Sequence, residues 1–519
     1  MTFPWLTLIV AVPMAGAIAA SRNRDRDAGR RVAAAAAVTQ LALSLLVPAL
    51  NWREGVGYFV EEDFRVPGLS ALGVHWHFGV DGIAAAFLPL IALLASGVIL
   101  AGPRSRLDPG YIGAVLLTAA GGAGLVMSAD LGLLGVMWVA SLLPNFWMLQ
   151  RHPDAFIRDE LRRSYSLYLL AGALPLLSAI VILGLHGLGA GLGEPLSLSG
   201  LAARPIPADQ QGLLFTLIAA SVLTRMAVFP VHSWLPLHIE HGPLGIGVMT
   251  IGSHLSVYVL ARMIPVLPFA ADQYMPFLSY AAVGSGLFGA VLAVVQTNLR
   301  RAIAYLVVSQ SSLMLLGLSS MTEPSVQGAL VQAVASGAAV SGLLLLVWAL
   351  ESRTGTADFR RFGGFGQVMP RMATVFFVFS AAAVGFPGSL MFVGEDLIVH
   401  GVLDEHPVVA AVVLISMASN GYMLIRAFSR IFLGPSMDAR DALDPSLLGG
   451  RSESLHDMLG RERAVAAAFA LVIIGGGIHP QPLITLSHDA ALALALHHER
   501  HEPAEAEDHE GEGHHPEGH

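Results

Sequence analysis

Six ionisable side chains stand inside long apolar stretches of this chain: Arg225, His232, His254, Arg262, Glu395 and Asp396. Insertion scales put a charge at the centre of a membrane helix at a cost of about 2.5–3.5 kcal/mol, so each of these residues is a candidate for function. A carboxyl and an imidazole can take up and release protons, whereas arginine keeps its proton. Glu395 and His254 can therefore carry protons, Arg225 can act as a fixed positive charge, and His232 is a further titratable group on the same stretch as Arg225. Plainer roles compete with these. Arg225 could be a structural charge paired with a carboxylate or with backbone carbonyls, His254 a neutral core histidine, and Arg262 and Asp396 side chains that pair or snorkel near the interfaces.

Glu395, the strongest candidate, and the pair Arg225 and His232 lie beside helix breakers. Arg225 and His232 belong to Thr224-Arg225-Met226-Ala227-Val228-Phe229-Pro230-Val231-His232-Ser233-Trp234-Leu235-Pro236, and Glu395 closes Gly385-Phe386-Pro387-Gly388-Ser389-Leu390-Met391-Phe392-Val393-Gly394-Glu395. Interrupted apolar segments at corresponding places in two halves mark ion paths in transporters. A break frees backbone groups, which must be buried in protein or line a wet cavity.

The elements that hold these residues follow from composition. Of 519 residues 54% are hydrophobic and 13% charged, with a mean hydropathy of +0.64, which excludes an ordinary water-soluble domain. About fourteen stretches reach the roughly 20 residues needed to cross a bilayer. The expected fold is an all-α polytopic membrane protein, with two inverted five-helix repeats in which helices 7 and 12 are broken. Residues 1–109 form the first three helices and a loop; 110–265 and 266–433 form the two repeats; 434–490 hold a connector and the last helix; 491–519 form a disordered tail. Within that tail, residues 497–519 carry seven histidines and eight acidic residues and no large apolar side chain. Alternation around Val56, Tyr58 and Val60 in the loop 51–79 suits a short hairpin.

All 29 basic residues are arginines, and their placement gives an orientation. Arg22, Arg24, Arg26, Arg30 and Arg31 follow the first stretch, Arg104 and Arg106 the third, and Arg151, Arg158, Arg162 and Arg163 the fifth. Short cytoplasmic loops carry such positive excess, so both termini should face the periplasm of a bacterial inner membrane. The chain contains no cysteine, which excludes disulfides and cysteine-ligated zinc or iron–sulfur centres. No strand–GxGxxG–helix unit is present, so no dinucleotide site is expected and no cofactor or metal is assigned. The partners expected are the lipid bilayer, protons and other membrane subunits, and not nucleic acid.

Four motifs carry a family resemblance: Phe78-Gly79-Val80-Asp81-Gly82-Ile83, Phe229-Pro230-Val231-His232-Ser233-Trp234-Leu235-Pro236, Gln296-Thr297-Asn298-Leu299-Arg300-Arg301-Ala302-Ile303-Ala304-Tyr305, and Phe386-Pro387-Gly388 through Val393-Gly394-Glu395. They cover most of residues 78–400, and the chain resembles the antiporter-like subunits of NADH:quinone oxidoreductase (complex I), M-type rather than L-type, which are similar to the Mrp antiporters. The resemblance implies a proton path along a buried polar axis, driven by quinone reduction in a distant arm. It also implies a glutamate where Val139 stands, lysines where Arg225 and His254 stand, a histidine at Gln310, an Asn-His pair near Ser336, and a glutamate at Glu395, the only one retained. The first half-channel should thus be degenerate. Other functions open to the same pattern are a coupling subunit of another membrane complex (inorganic-carbon uptake, hydrogenase-type or Mrp-type), or a scaffold that does not pump.

Overall fold

A computed structural model of the chain describes residues 3–53, 57–64, 73–150, 154–204, 206–403, 406–434 and 456–499. Among them, 11 helices are long and apolar enough to cross a membrane, or 12 if a bent pair near the C-terminus counts as one span. The helices sort into an enclosed set and a peripheral set. The apolar windows of Leu244–Val266, Leu299–Ser319 and Glu323–Thr354 are wholly buried, whereas those of Ala155–Gly189, Pro268–Val295 and Pro407–Phe432 are buried over only 33–39% of their length. Small residues make the enclosed contacts close. A Cβ at Gly394 would meet backbone atoms of Gln332, and one at Gly328 would meet the backbone of Gly394 and Ile398. The Glu323–Thr354 and Leu390–Leu403 helices therefore touch backbone to backbone, the packing that membrane helices use when no hydrophobic drive separates them from lipid.

The two breaks expected from sequence are present. Ala208–Met226 stops at Ala227, whose φ of 58° is left-handed, and the helix Trp234–His241 resumes after the Phe229–Pro230 turn. Pro370–Ala382 stops before Gly385 (φ 67°) and Gly388 (φ 94°), and Leu390–Leu403 follows. A further break was not expected. The stretch 242–265 reads as one continuous helix, but it is divided into Leu244–Gly252 and Leu255–Met263, with His254 between them at φ 41°. No proline marks the spot, and a histidine tolerates the left-handed region better than a branched residue would.

The C-terminal end also departs from expectation. The helical run Gly460–Ile478 ends at His479-Pro480, and Gln481–Glu499 leaves it at 72° rather than continuing a span to residue 486. Proline and its restricted predecessor account for the bend. Gln327 donates to the Ile484 carbonyl (3.0 Å) and His488 pairs with Glu323 (3.2 Å), so this last helix is tied to the start of the Glu323–Thr354 helix. The rest of the His/Glu-rich tail, 500–519, lies outside the described residues.

A hairpin does form in the loop 51–79, from Val60–Phe64 paired antiparallel with Trp76–Val80. It begins later than the expected centre: Tyr58 precedes the first strand, and Val56 lies outside the described residues. Its Glu62 carboxylate accepts from Leu6 N (2.6 Å), Thr7 N (2.9 Å) and Thr7 Oγ1 (2.9 Å). A carboxylate from a distant strand thus satisfies free N–H groups in the first turn of the Trp5–Arg22 helix.

Candidate functional site

Glu395 lies in the first turns of the helix that follows a break, and it is 1% exposed. Its Oε1 faces two amide donors, Nε2 of Gln310 and Nε2 of Gln332, each at 3.4 Å, while Oε2 has no hydrogen-bond partner among the described residues. Gln332 Nε2 also donates to Gln310 Oε1 at 2.8 Å. Gly385 closes the other side, because a Cβ there would run into the Glu395 carboxylate. Neutral amides surround this carboxyl, and no cation pairs with it among the described residues. It can hold or release a proton with no ion pair to break.

Gln310 belongs to a run of four polar residues, Ser309-Gln310-Ser311-Ser312, in the middle of the buried Leu299–Ser319 helix. At about 100° per residue, four in succession face every side. Ser309 Oγ accepts from Asn420 Nδ2 (2.9 Å), Gln310 meets Glu395, and Ser312 donates to Ser285 Oγ (2.9 Å), which accepts from Phe229 N (2.9 Å) at the first break. Ser311 lines a small cavity with Arg225 and His254. One helical turn therefore joins the surroundings of both broken segments. Sequence reasoning named Gln310 but not its serine neighbours, nor Gln332, which lies about one turn before Ser336 and reads as an ordinary polar residue.

Arg225 is 7% exposed and has neither a carboxylate nor a backbone carbonyl for a partner among the described residues. Its Nη2 donates to Ser141 Oγ at 3.0 Å, and its guanidinium lies 4.3 Å from the Trp138 ring centroid, a cation–π arrangement. Trp138 is held by a bond from its Nε1 to the Gly172 carbonyl (2.8 Å). Nε and Nη1 of Arg225 have no partner among the described residues. Val139, where the resemblance implies a glutamate, is only half-buried. The helix rotation presents Trp138 and Ser141 to the arginine.

His254 is buried at the left-handed residue that opens the Leu255–Met263 helix, and it shares cavity walls with Arg225. His232 stands apart: it is half-buried, its ring packs against Phe229 and Phe288, and its Nδ1 has no partner among the described residues. A histidine that sequence reasoning passed over, His238, is 3% exposed, with Nε2 3.1 Å from Asn145 Nδ2. Asn145 Nδ2 is also 3.4 Å from Thr250 Oγ1, and Thr250 lines the cavity of Arg225 and His254. Polar groups thus run from His238 through Asn145 and Thr250 to Arg225 and His254, and on through Ser311 and Gln310 to Glu395.

The two outlying candidates are paired. Arg262 makes a two-pronged ion pair with Asp81 of the Phe78–Ile83 motif (2.5 and 2.6 Å) and lies over the Tyr258 ring, while Asp81 also accepts from Ala84 N at the start of the Gly82–Ala101 helix. Asp396 is half-exposed beside His400 (3.4 Å).

Residues 128–419 match the family described as NADH:quinone oxidoreductase/Mrp antiporter, TM. Subunit 13 of the NADH-quinone oxidoreductase of Thermus thermophilus is 30% identical over 443 residues, which is 84% of this chain and 89% of that protein. Among solved structures, a chain of respiratory complex I from Thermus thermophilus with bound NADH superposes with a TM-score of 0.84 at 26% identity, covering 95% of this chain and 99% of that one. A chain of the Mrp complex from Dietzia sp. DQ12-45-1b has the same fold, with a TM-score of 0.77 at 24% identity over 95% of this chain and 98% of that one. The match spans more than half of this chain, and the chain belongs to the NADH:quinone oxidoreductase/Mrp antiporter family of membrane proteins.

Proposed function

We propose that this chain is a membrane-arm subunit of a complex I type NADH:quinone oxidoreductase and takes part in proton translocation coupled to quinone reduction elsewhere in the assembly. The observation that carries the proposal is Glu395, a buried carboxyl held by two glutamine amides next to a broken helix, with Ser311, the chain neighbour of its partner Gln310, lining the cavity of His254 and Arg225. Glu395 and His254 are the groups that change charge along this axis, and Arg225 is a fixed cation that sets the field around them. Family membership and the extent of the match to subunit 13 support the placement in such an assembly. The chain crosses the inner membrane about fourteen times, counting interrupted segments as single spans, with both termini on the periplasmic face. Residues 110–265 and 266–433 form its two repeats.

Proton uptake per electron pair in proteoliposomes that contain the whole assembly tests this. Glu395→Gln is expected to lower the stoichiometry, because the amide keeps the shape and cannot carry a proton. Normal stoichiometry in the Glu395→Gln, His254→Ala double variant would make this subunit a scaffold.

A further inference from the structure

The buried guanidinium of Arg225 has no counter-charge among the described residues. Among the described residues its hydrogen-bond acceptor is the neutral hydroxyl of Ser141, and Trp138 offers only the face of a ring. Two of its nitrogens, Nε and Nη1, are buried without partners among the described residues, and so is the hydroxyl oxygen of Tyr168, a neighbour close enough to interact electrostatically with it. A buried cation left in this state is costly in a protein interior and more so in a membrane.

The space beside it combines apolar walls, Met226, Leu235 and Val307 among them, with hydroxyls and an imidazole that can donate to an anion. A cavity of about 10 Å³ is lined by Arg225, Thr250, His254, Ser256 and Ser311, with no carboxylate in its walls. The hydroxyl-bearing residues Ser256 and Ser311 come from different helices. His254 through Val257 also form part of the wall, and these residues are the N-terminal turn of the nine-residue Leu255–Met263 helix. The break at His254 opens that turn at the positive end of the helix dipole: Val257 N bonds the His254 carbonyl (3.0 Å), and the N–H groups of Leu255 and Ser256 have no backbone acceptor among the described residues. An unpartnered cation, a helix N-terminus and hydroxyls therefore converge on one spot.

We propose that this cavity binds a single monatomic anion, a halide such as chloride, as the counter-ion of Arg225. A water molecule would satisfy a donor but leave the charge uncompensated, whereas an anion does both. Room for roughly one water-sized particle excludes phosphate, sulfate and carboxylates. The site holds whether or not protons cross this subunit. An exchangeable ion here would make the field at His254 a function of halide concentration, where a carboxylate side chain would fix it.

The test uses the full-length chain in lipid nanodiscs, in sodium chloride, sodium bromide or sodium gluconate at one ionic strength, read as the thermal unfolding midpoint. Chloride and bromide are expected to raise the midpoint by at least about 2 °C over gluconate, since a ligand that binds only the folded state stabilises it by mass action. Ser141→Asp places a carboxylate at the position that already bonds Arg225, so its midpoint is expected to be the same in all three salts. Arg225→Gln is expected to lose the halide response as well. Equal midpoints in the three salts for the unaltered chain, or a halide response that survives in Ser141→Asp, would overturn the proposal. Should both variants fail to fold, bromide anomalous scattering from crystals of the unaltered chain decides it: a peak in contact with the Arg225 guanidinium supports the site, and its absence in saturating bromide removes it.

Discussion

Gln332 Nε2 lies 2.8 Å from Gln310 Oε1, so amides from two neighbouring helices form one unit over the carboxyl of Glu395. Replacing Gln332 by leucine strands the Gln310 carbonyl and removes one donor from the carboxyl. The expected cost is about 1–3 kcal/mol, the price of leaving a buried polar group unpaired. It should appear as a lowered unfolding midpoint together with a fall in proton uptake per electron pair. An unchanged midpoint would mean that the amide pair is not stabilising.

Gly385 combines a left-handed φ of 67° with contact against Glu395. Gly385→Ala should therefore cost about 1–2 kcal/mol in backbone strain and also displace the carboxyl. Gly388→Ala is the control, because its φ of 94° is strained but no atom lies where the new Cβ would go. Proton uptake should fall in the first variant and hold in the second; equal losses would separate the loop from Glu395.

His254 sits where asparagine is well tolerated, since asparagine adopts left-handed φ more readily than most residues. His254→Asn thus keeps the helix break and removes the titratable ring. Proton uptake should slow, while assembly is unaffected. Uptake identical to that of the unaltered protein would make His254 a core residue.

Arg225→Lys preserves the charge, and assembly with normal proton uptake is expected. Trp138→Leu removes the ring under the guanidinium and the bond to Gly172, and should lower stability by roughly 1–2 kcal/mol. Thermal unfolding in lipid nanodiscs checks both variants.

Orientation is accessible because the chain contains no natural thiol. A cysteine at Ser199 should react with a membrane-impermeant reagent from the periplasmic side. Labelling from the cytoplasm alone would reverse the topology.

Sequence legibility followed how local each cause is. The breaks near Pro230 and Pro387 could be read because proline interrupts a helix by its own covalent structure. Glu395 could be read because a carboxyl in an apolar run has few explanations. His254 was named, but its break was hidden, since no residue in Gly252-Ser253-His254 enforces one. A carboxylate or backbone carbonyls were the expected partners of Arg225, and Trp138 and Ser141 stand there instead, because residue spacing does not fix how a helix is rotated against its neighbour. Gln332, Asn145 and His238 acquire roles only through contacts with distant helices, and such contacts leave no local pattern.

The enclosure of the Leu299–Ser319 and Glu323–Thr354 helices bears on how the protein is made. Both are covered in part by segments synthesised after them: Leu390–Leu403 and Gly460–Ala470 pack on the second, and Pro407–Phe432 packs on the first. While the ribosome is still on the second half of the message, Ser309 is already in the bilayer without Asn420, and the Gln310–Gln332 pair without Glu395. A nascent chain stopped after residue 354 would present this polar seam to lipid, and insertion must either hold it in a protein-lined compartment or delay its release until the last helices arrive.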